Sequence, residues 1–226
     1  MACQRYPNLY QERQLWKRGW NYVIGLDEAG RGPLAGPVVA AAVWVSPETL
    51  ILKDKKLKLL LEGVKDSKKL SPKKREELWQ LAKVCSFIKW RTAAVSEKII
   101  DKLNILEATK RAMARAVGKI TWLKSVGTSD KKPELFLLID GNIRLNLPFF
   151  QKAIIRGDEK VFSISLASIV AKVVRDRIME RYHQKYPQYG FDRHKGYPTK
   201  QHLEKLRIYK PCPIHRRSFA QVNWTK

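Results

Sequence analysis

Apolar residues fall along this chain in two rhythms: short unbroken runs, and longer stretches in which they recur every three or four positions. The runs read as buried strands. Tyr22 to Leu26 is the first, and it ends abruptly at the adjacent acids Asp27 and Glu28. Val38 to Val45 is the second, reached through a Gly36-Pro37 turn, so that the two form a hairpin. Phe87 to Val95, Leu135 to Ile139 and a short piece from Ala153 to Arg156 complete the set. The periodic stretches read as helices. One opens at Ser71-Pro72, with serine as cap, proline in the first turn and Glu76 and Glu77 close behind. A second spans Ile105 to Leu123. A third spans Glu159 to Tyr182, apolar on one side and basic elsewhere, with a β-branched content that weakens its intrinsic helicity. Thr121 to Pro133 has the composition of a surface loop.

Strands that cluster first and then alternate with helices predict an α/β domain with a mixed sheet. With 226 residues the chain can build one sizeable core. We place the catalytic domain at 1–186, with 1–20 as an N-terminal extension, and a small helical lobe at 187–226.

The chemistry concentrates where apolar runs stop. Adjacent carboxylates at the end of a buried strand repel each other, and burial raises that cost unless a cation lies between them. Oxygen ligands of this kind suit Mg²⁺ or Mn²⁺. Gly30-Arg31-Gly32-Pro33 follows at once, offering backbone amides that can approach a ligand closely and a planar cation for phosphate. Standing alone, Asp27 and Glu28 read as a helix cap beside a plain turn. They do not stand alone: Asp140 lies where the Leu135 run meets Gly141-Asn142, and Asp158 follows the short fifth strand. Asp158 can equally be a helix cap. Four carboxylates on separate segments suit a pair of cations for phosphodiester hydrolysis.

Charge sharpens this picture. Forty-five Lys and Arg against 21 Asp and Glu leave a net charge of +24, which calls for an anionic partner. The cations are spread through the chain, as at Lys53-Asp54-Lys55-Lys56, Lys68-Lys69, Lys73-Lys74-Arg75 and Arg216-Arg217, so a folded basic surface is expected rather than a charged tail. Cys3, Cys85 and Cys212 form no Cys-x-x-Cys pair and point to a reducing, cytoplasmic setting without disulfides or zinc. His194, His202 and His215 are not spaced as a compact zinc site, which leaves substrate contact or packing as their role. No apolar run is long enough to cross a bilayer. A strongly basic chain with acids clustered at strand ends reads as a nuclease. A non-catalytic nucleic-acid-binding protein would explain the charge but has no use for the acids.

From about Val23 to Val222 the chain resembles the ribonuclease HII family, the type 2 ribonucleases H. The motifs that carry the resemblance are Asp27-Glu28-Ala29-Gly30-Arg31-Gly32-Pro33-Leu34-Ala35-Gly36-Pro37, Asp66-Ser67-Lys68-Lys69-Leu70-Ser71, Asn104-Ile105-Leu106-Glu107-Ala108-Thr109 and Asp140-Gly141-Asn142. Further along come Gly157-Asp158-Glu159-Lys160, Ala167-Ser168-Ile169-Val170-Ala171-Lys172, Arg175-Asp176-Arg177, His194-Lys195-Gly196-Tyr197 and His215-Arg216-Arg217-Ser218-Phe219. Ser165-Leu166 and Ala220-Gln221-Val222 depart from the family pattern, away from the acids.

The resemblance implies an RNase H-like fold, a five-stranded mixed β-sheet flanked by helices, with Asp27, Glu28, Asp140 and Asp158 as catalytic acids on a two-metal site of Mg²⁺ or Mn²⁺. Asp176 competes with Asp158 for the fourth place. We read it instead as an ion-pairing helix residue between Arg175 and Arg177. The implied substrates are RNA/DNA hybrids and duplex DNA holding a single ribonucleotide, cut on its 5′ side. Gly30, Arg31, Gly32 and Tyr197 are implied to recognise the 2′-hydroxyl, and Ser67, Lys68, Lys69 and Lys172 to bind phosphates. The related ribonuclease HIII family carries a substantial N-terminal substrate-binding domain, whereas only a short segment precedes the first strand here, and Gly30-Arg31-Gly32 also favours the type HII reading. The end of the chain shows no clamp-binding peptide, and a monomer without an obligate protein partner is expected.

Overall fold

The computed structural model describes residues 6–51, 54–64, 70–121 and 135–223. Helix α1 (Tyr10–Trp16) leads into strands β1 (Tyr22–Ala29) and β2 (Val38–Val45). Helices α2 (Lys55–Gly63) and α3 (Pro72–Val84) precede β3 (Ile88–Val95), and α4 (Glu97–Leu103) and α5 (Ile105–Gly118) follow it. Strands β4 (Leu135–Asp140) and β5 (Phe150–Ile154) then lead to the long helix α6 (Phe162–Lys185). Three short helices, α7 (Phe191–His194), α8 (Lys200–Tyr209) and α9 (Ala220–Asn223), close the chain.

The five strands form one sheet in the order β3-β2-β1-β4-β5. The β1–β2 and β2–β3 pairs are antiparallel, and β1–β4 and β4–β5 are parallel. β1 and β2 read as unbroken apolar runs because both faces of the sheet are covered. On one face Val23, Val43 and Leu138 pack under α6 with α2 and α3; on the other Ile24, Leu26, Ala42 and Leu137 pack under α5. The mixed α/β architecture predicted from the apolar rhythm is the architecture found.

Several boundaries differ from the sequence expectation for physical reasons. β1 continues through Asp27 and Glu28 to Ala29, because its ladder with β2 runs on to the pair Ala29 and Val39 whatever the side chains are. The fifth strand is Phe150–Ile154, not Ala153 to Arg156. It is an edge strand with a largely exposed burial pattern, so no apolar run marks it, and Arg156 turns into the left-handed region at φ 56°. α5 stops at Gly118, short of the predicted Leu123, and the predicted loop from Thr121 to Pro133 lies almost wholly outside the described residues. α6 begins at Phe162, after a separate turn over Gly157–Glu159, and runs past Tyr182 to Lys185. Helices α1, α2 and α4 were not marked by the apolar pattern.

The segment after α6 forms two small cores of its own. Tyr189, Phe191, Cys212 and Ile214 pack with Ala35 and Met179, and Leu206 and Val222 pack with Leu34, so each core shares residues with the loop after β1 or with α6. The three histidines sit in and beside the first core as a network of neutral rings. His202 Nδ1 donates to the Tyr197 carbonyl at 2.9 Å, leaving its Nε2 to accept from His215 Nε2 at 3.1 Å. His215 Nδ1 in turn accepts the Cys212 N–H at 3.0 Å. His194 stacks on His202, accepts from the Gly196 N–H and donates to the Tyr189 carbonyl. Packing is therefore their role, and no assignment of protons satisfies this network with charged rings.

Burial, reinforced by the neighbouring histidine, pushes His202 down to about 4 and His215 down to about 3. Each folded-state value lies below the unfolded one, so each ring contributes stability that is complete above roughly pH 6.5 and is lost as pH falls toward its folded value, by at most about 1.4 kcal/mol per pH unit. In a ring-resonance titration by NMR, both histidines are expected to stay neutral down to pH 5. Ordinary titration near neutrality by either would contradict the network.

Candidate active site

The parallel register that pairs Leu26 with Ile139 carries Asp27 and Asp140 side by side at the next step, at the carboxyl ends of β1 and β4. Asp27 is 6% exposed. Its Oδ1 accepts the Glu28 N–H at 2.7 Å, and the Ser168 hydroxyl of α6 donates to its carboxylate. Burial, then the charges of Glu28 and Asp140, hold its pKa well above the usual carboxylate range. Glu28 is raised as well, first by burial; Arg31, 3.4 Å from Oε1, works against this and Asp140 adds to it. Its second oxygen, Oε2, is buried without a hydrogen-bond partner.

Asp140 Oδ1 accepts the Gly157 N–H at 2.7 Å and the Asp158 N–H at 3.4 Å, which ties the turn Gly157–Glu159 to the end of β4. Asp158 is buried in that turn. It is not the cap of α6, since the N-cap position is Val161. Asp27, Glu28 and Asp140 thus act on one another, and Asp158 joins them through its backbone.

The donor set fits divalent cations. Two carboxylates raised first by burial and then by neighbouring acids, Asp140 acting on both, and one buried oxygen left without a donor, are the electrostatic situation a hard cation relieves. Among the described residues no group of three or more His, Cys, Asp and Glu side chains stands close enough together, as placed, to hold a metal ion unaided. An open arrangement of one or two carboxylates per ion, completed by water and substrate phosphate, is the usual habit of Mg²⁺.

Beside the acids lies a cleft of about 350 Å³ lined by Glu28, Gly30, Arg31, Gly32, Lys172 and Tyr197, together with Arg75 and Ser168. Gly30 is at φ 101°, and a Cβ there would stand 2.1 Å from Arg175 Nε, so only glycine fits. Tyr197, 39% exposed, faces Gly32 across the cleft, with Lys172 Nζ 5.6 Å from its ring. Burial lowers the Lys172 pKa, opposed by its 2.7 Å bond to Asp176. Asp176 is therefore an ion-pairing residue, as expected, but its partner is Lys172 one helical turn back and not Arg175 or Arg177. Arg175 is turned inward, and Arg177 pairs with Glu76 and lies over Trp79. Ser67, Lys68 and Lys69 lie outside the described residues.

Ser168, Lys172, Arg175 and Met179 follow one another along α6 at steps of four, three and four, so they share a face. In order they meet Asp27, the cleft, the glycine loop and the C-terminal core. Sequence reasoning missed Ser168 and Arg75 as lining residues, although both lay inside motifs or clusters already noted. It also counted Arg216 among the surface cations, whereas Arg216 is fully buried.

Comparison with known proteins bears on the family and the fold. The ribonuclease HII family model matches residues 24–225. The ribonuclease HII of Bacillus licheniformis is 48% identical over 216 residues, covering 93% of this chain and 74% of its own. The crystal structure of the ribonuclease H2 from Pyrococcus horikoshii OT3 superposes with a TM-score of 0.69 at 28% identity, covering 90% of this chain and 96% of that one. A Bst ribonuclease HIII solved in complex with Mn²⁺ shares the fold, with a TM-score of 0.69 at 17% identity over 91% of this chain and 69% of that one. With acids at the ends of β1 and β4 and an RNase H-like sheet beneath them, the chain belongs to the ribonuclease HII family of metal-dependent endoribonucleases H.

Proposed function

We propose that this enzyme cleaves the RNA strand of RNA/DNA hybrids and also incises duplex DNA on the 5′ side of a single embedded ribonucleotide, leaving 3′-hydroxyl and 5′-phosphate ends. The observation that carries this reading is the adjacency of two elements: a buried acid cluster with an unpartnered Glu28 oxygen, and a cleft whose walls are the Gly30–Gly32 backbone and Tyr197. The first is suited to hydrolysis, and the second sets a glycine-flanked loop opposite an aromatic hydroxyl, a pairing suited to a sugar.

Asp27, Glu28, Asp140 and Asp158 would hold two Mg²⁺ or Mn²⁺ ions. Bound there, such ions supply an activated water and charge stabilisation for the leaving 3′ oxygen. The chain supplies the rest. Ser168 and the Glu28 amide orient the Asp27 carboxylate, and the Gly157 amide orients Asp140. Lys172, lining the cleft, meets a substrate phosphate, as would Ser67, Lys68 and Lys69. RNA is distinguished from DNA through its 2′-hydroxyl, which the Gly30–Gly32 backbone and Tyr197 contact from opposite sides. The enzyme acts as a monomer, with 187–226 as the lobe that closes on the duplex, in the cytoplasm, in ribonucleotide removal and RNA primer processing. Among the described residues no helix is long and apolar enough to cross a membrane.

The test is incubation, with Mg²⁺ or Mn²⁺, of duplex DNA carrying one internal ribonucleotide beside an all-DNA control and an RNA/DNA hybrid. A cut 5′ of the ribonucleotide, abolished by chelation, is the expected result. Cutting of the hybrid alone would point to the specificity of ribonuclease HIII, and binding without cutting would refute catalysis. Tyr197→Ala should slow single-ribonucleotide incision by roughly tenfold or more, the loss of one hydrogen bond and its packing. Its side chain is partly exposed, so stability should stay within about 0.5 kcal/mol of the parent in urea unfolding. Unchanged incision would remove Tyr197 from recognition.

A further inference from the structure

A guanidinium withdrawn from water must spend its donors well, or it costs several kcal/mol of order. Among the described residues two are fully buried, Arg175 in α6 and Arg216 ahead of α9. Six hydrogen bonds from the two guanidinium groups end on main-chain carbonyls. Arg175 donates from Nε to Pro37, from Nη1 to Lys195 and from Nη2 to Ala35, at 3.0, 3.0 and 3.1 Å. Arg216 donates from Nε to Gly36, from Nη1 to Arg31 and from Nη2 to Gly30, at 2.9, 2.9 and 2.6 Å. Two forks thus grip the loop after β1 at both its ends, Gly30 and Arg31 at one and Ala35 to Pro37 at the other. A methionine would fill such a space at less electrostatic cost, and a lysine could not reach three carbonyls in three directions.

What the forks hold has a directional consequence. A trans peptide is planar, so the N–H of each residue points opposite to the carbonyl before it. The Gly30 and Arg31 carbonyls are drawn to Arg216, which turns the Arg31 and Gly32 amides the other way, toward the cleft their residues line. Arg175 adds the second coordinate. It binds the loop at Ala35 and Pro37 and the Lys195 carbonyl two residues before Tyr197, and its guanidinium lies 5.8 Å from the Tyr197 ring. One side chain therefore ties the loop after β1 to the segment that leads into Tyr197.

We infer that Arg216 and Arg175 are positioning residues for ribose selection: Arg216 aims the Arg31 and Gly32 amides into the cleft, and Arg175 sets the distance from that loop to Tyr197. This rests on the reading that the Gly30–Gly32 backbone and Tyr197 meet the 2′-hydroxyl. Neither arginine touches substrate. They act through the walls they hold apart.

The test uses Arg175→Lys, Arg175→Gln, Arg216→Lys and Arg216→Gln in the full chain, with the folded fraction set by near-UV circular dichroism and urea unfolding, and kcat and KM measured separately on duplex DNA carrying one ribonucleotide. A misplacement of the two walls should lower kcat per folded molecule by about 100-fold while KM stays within about threefold, since phosphate binding is untouched. Tyr197→Phe, which removes the hydroxyl alone, is then combined with Arg175→Lys. If the arginine works by placing that hydroxyl, the double variant should lose little beyond Arg175→Lys itself. Folded lysine or glutamine variants with parental kcat, or losses that simply multiply in the double variant, would overturn the proposal while leaving ribose recognition intact. Failure of all four variants to fold would equally overturn it, by reducing both residues to structural supports. A parent enzyme that cuts hybrid but ignores the single ribonucleotide would instead defeat the reading on which the proposal rests.

Discussion

Asp27→Asn and Asp140→Asn are each expected to bind duplex as the parent does and to cut it at least about 1000-fold more slowly, the equivalent of roughly 4 kcal/mol of transition-state stabilisation. The argument begins with charge. Hydrolysis of a phosphodiester gathers negative charge on the phosphate and leaving oxygens, and a divalent ion answers it only where charged carboxylates hold the ion in place. Asparagine keeps the shape, and at Asp27 it keeps an oxygen to accept the Glu28 amide now bonded at 2.7 Å. It removes the charge and turns the other acceptor oxygen into an amide donor, beside a Ser168 hydroxyl that can accept as well as donate. The same substitution should not harm the fold. Burial and the charges of Glu28 and Asp140 raise the Asp27 pKa, so its ionised form opposes folding at neutral pH, and stability there should hold or rise. A pair of measurements decides the matter: single-turnover cleavage with Mg²⁺ or Mn²⁺, and urea unfolding without metal. Turnover near that of the parent in either variant would refute the assignment of these acids, and lost stability at Asp27→Asn would refute the electrostatic account.

Gly25→Ala is the second large effect, and it falls on the fold. Gly25 lies in the central strand β1, and a Cβ there would stand 2.3 Å from the Ser163 carbonyl carbon, 2.5 Å from the Ile164 nitrogen and 2.5 Å from Ser163 Oγ. These are main-chain atoms of α6's first turn and a hydroxyl beside them. β1 cannot retreat, being bonded to β2 on one side and β4 on the other. The helix must move, which would strain the 2.8 Å bond from the Ser163 N–H to the buried Glu12 carboxylate. A cost of about 3 kcal/mol or more is expected, at the upper end of overpacking, read as a lower urea midpoint. A midpoint equal to the parent's would show that the sheet and α6 can part without penalty.

The close cover of β1 by α6 is also part of what makes this strand legible in the sequence. β1 and β2 could be read because they are covered on both faces, and the acids stood out against that apolar background. β5 could not be placed well, because an edge strand has no buried face along its whole length to mark it. Asp158 was open between cap and site residue until the turn before α6 separated it from the helix start. The two buried arginines were invisible for a different reason. Their partners are carbonyls, which every residue has, at separations of up to 186 positions, so Arg216 looked like one more surface cation beside Arg217. The histidines are spaced unlike a compact zinc site, and the proton order that makes them a neutral network appears only with their geometry. The roles of Ser67, Lys68 and Lys69 remain with the family resemblance.

The face of α6 that carries Ser168, Lys172, Arg175 and Met179 has one more consequence. Their spacing covers about 16 Å at the rise of an α-helix, and each residue serves a different part of the enzyme. The helix is in this sense a camshaft, whose lobes work only in phase. Removing one residue between Ser168 and Met179 would turn everything beyond it by about 100°, taking the glycine loop and the C-terminal core out of step with the acids together. Length change is therefore barred from this segment more strictly than any single substitution within it.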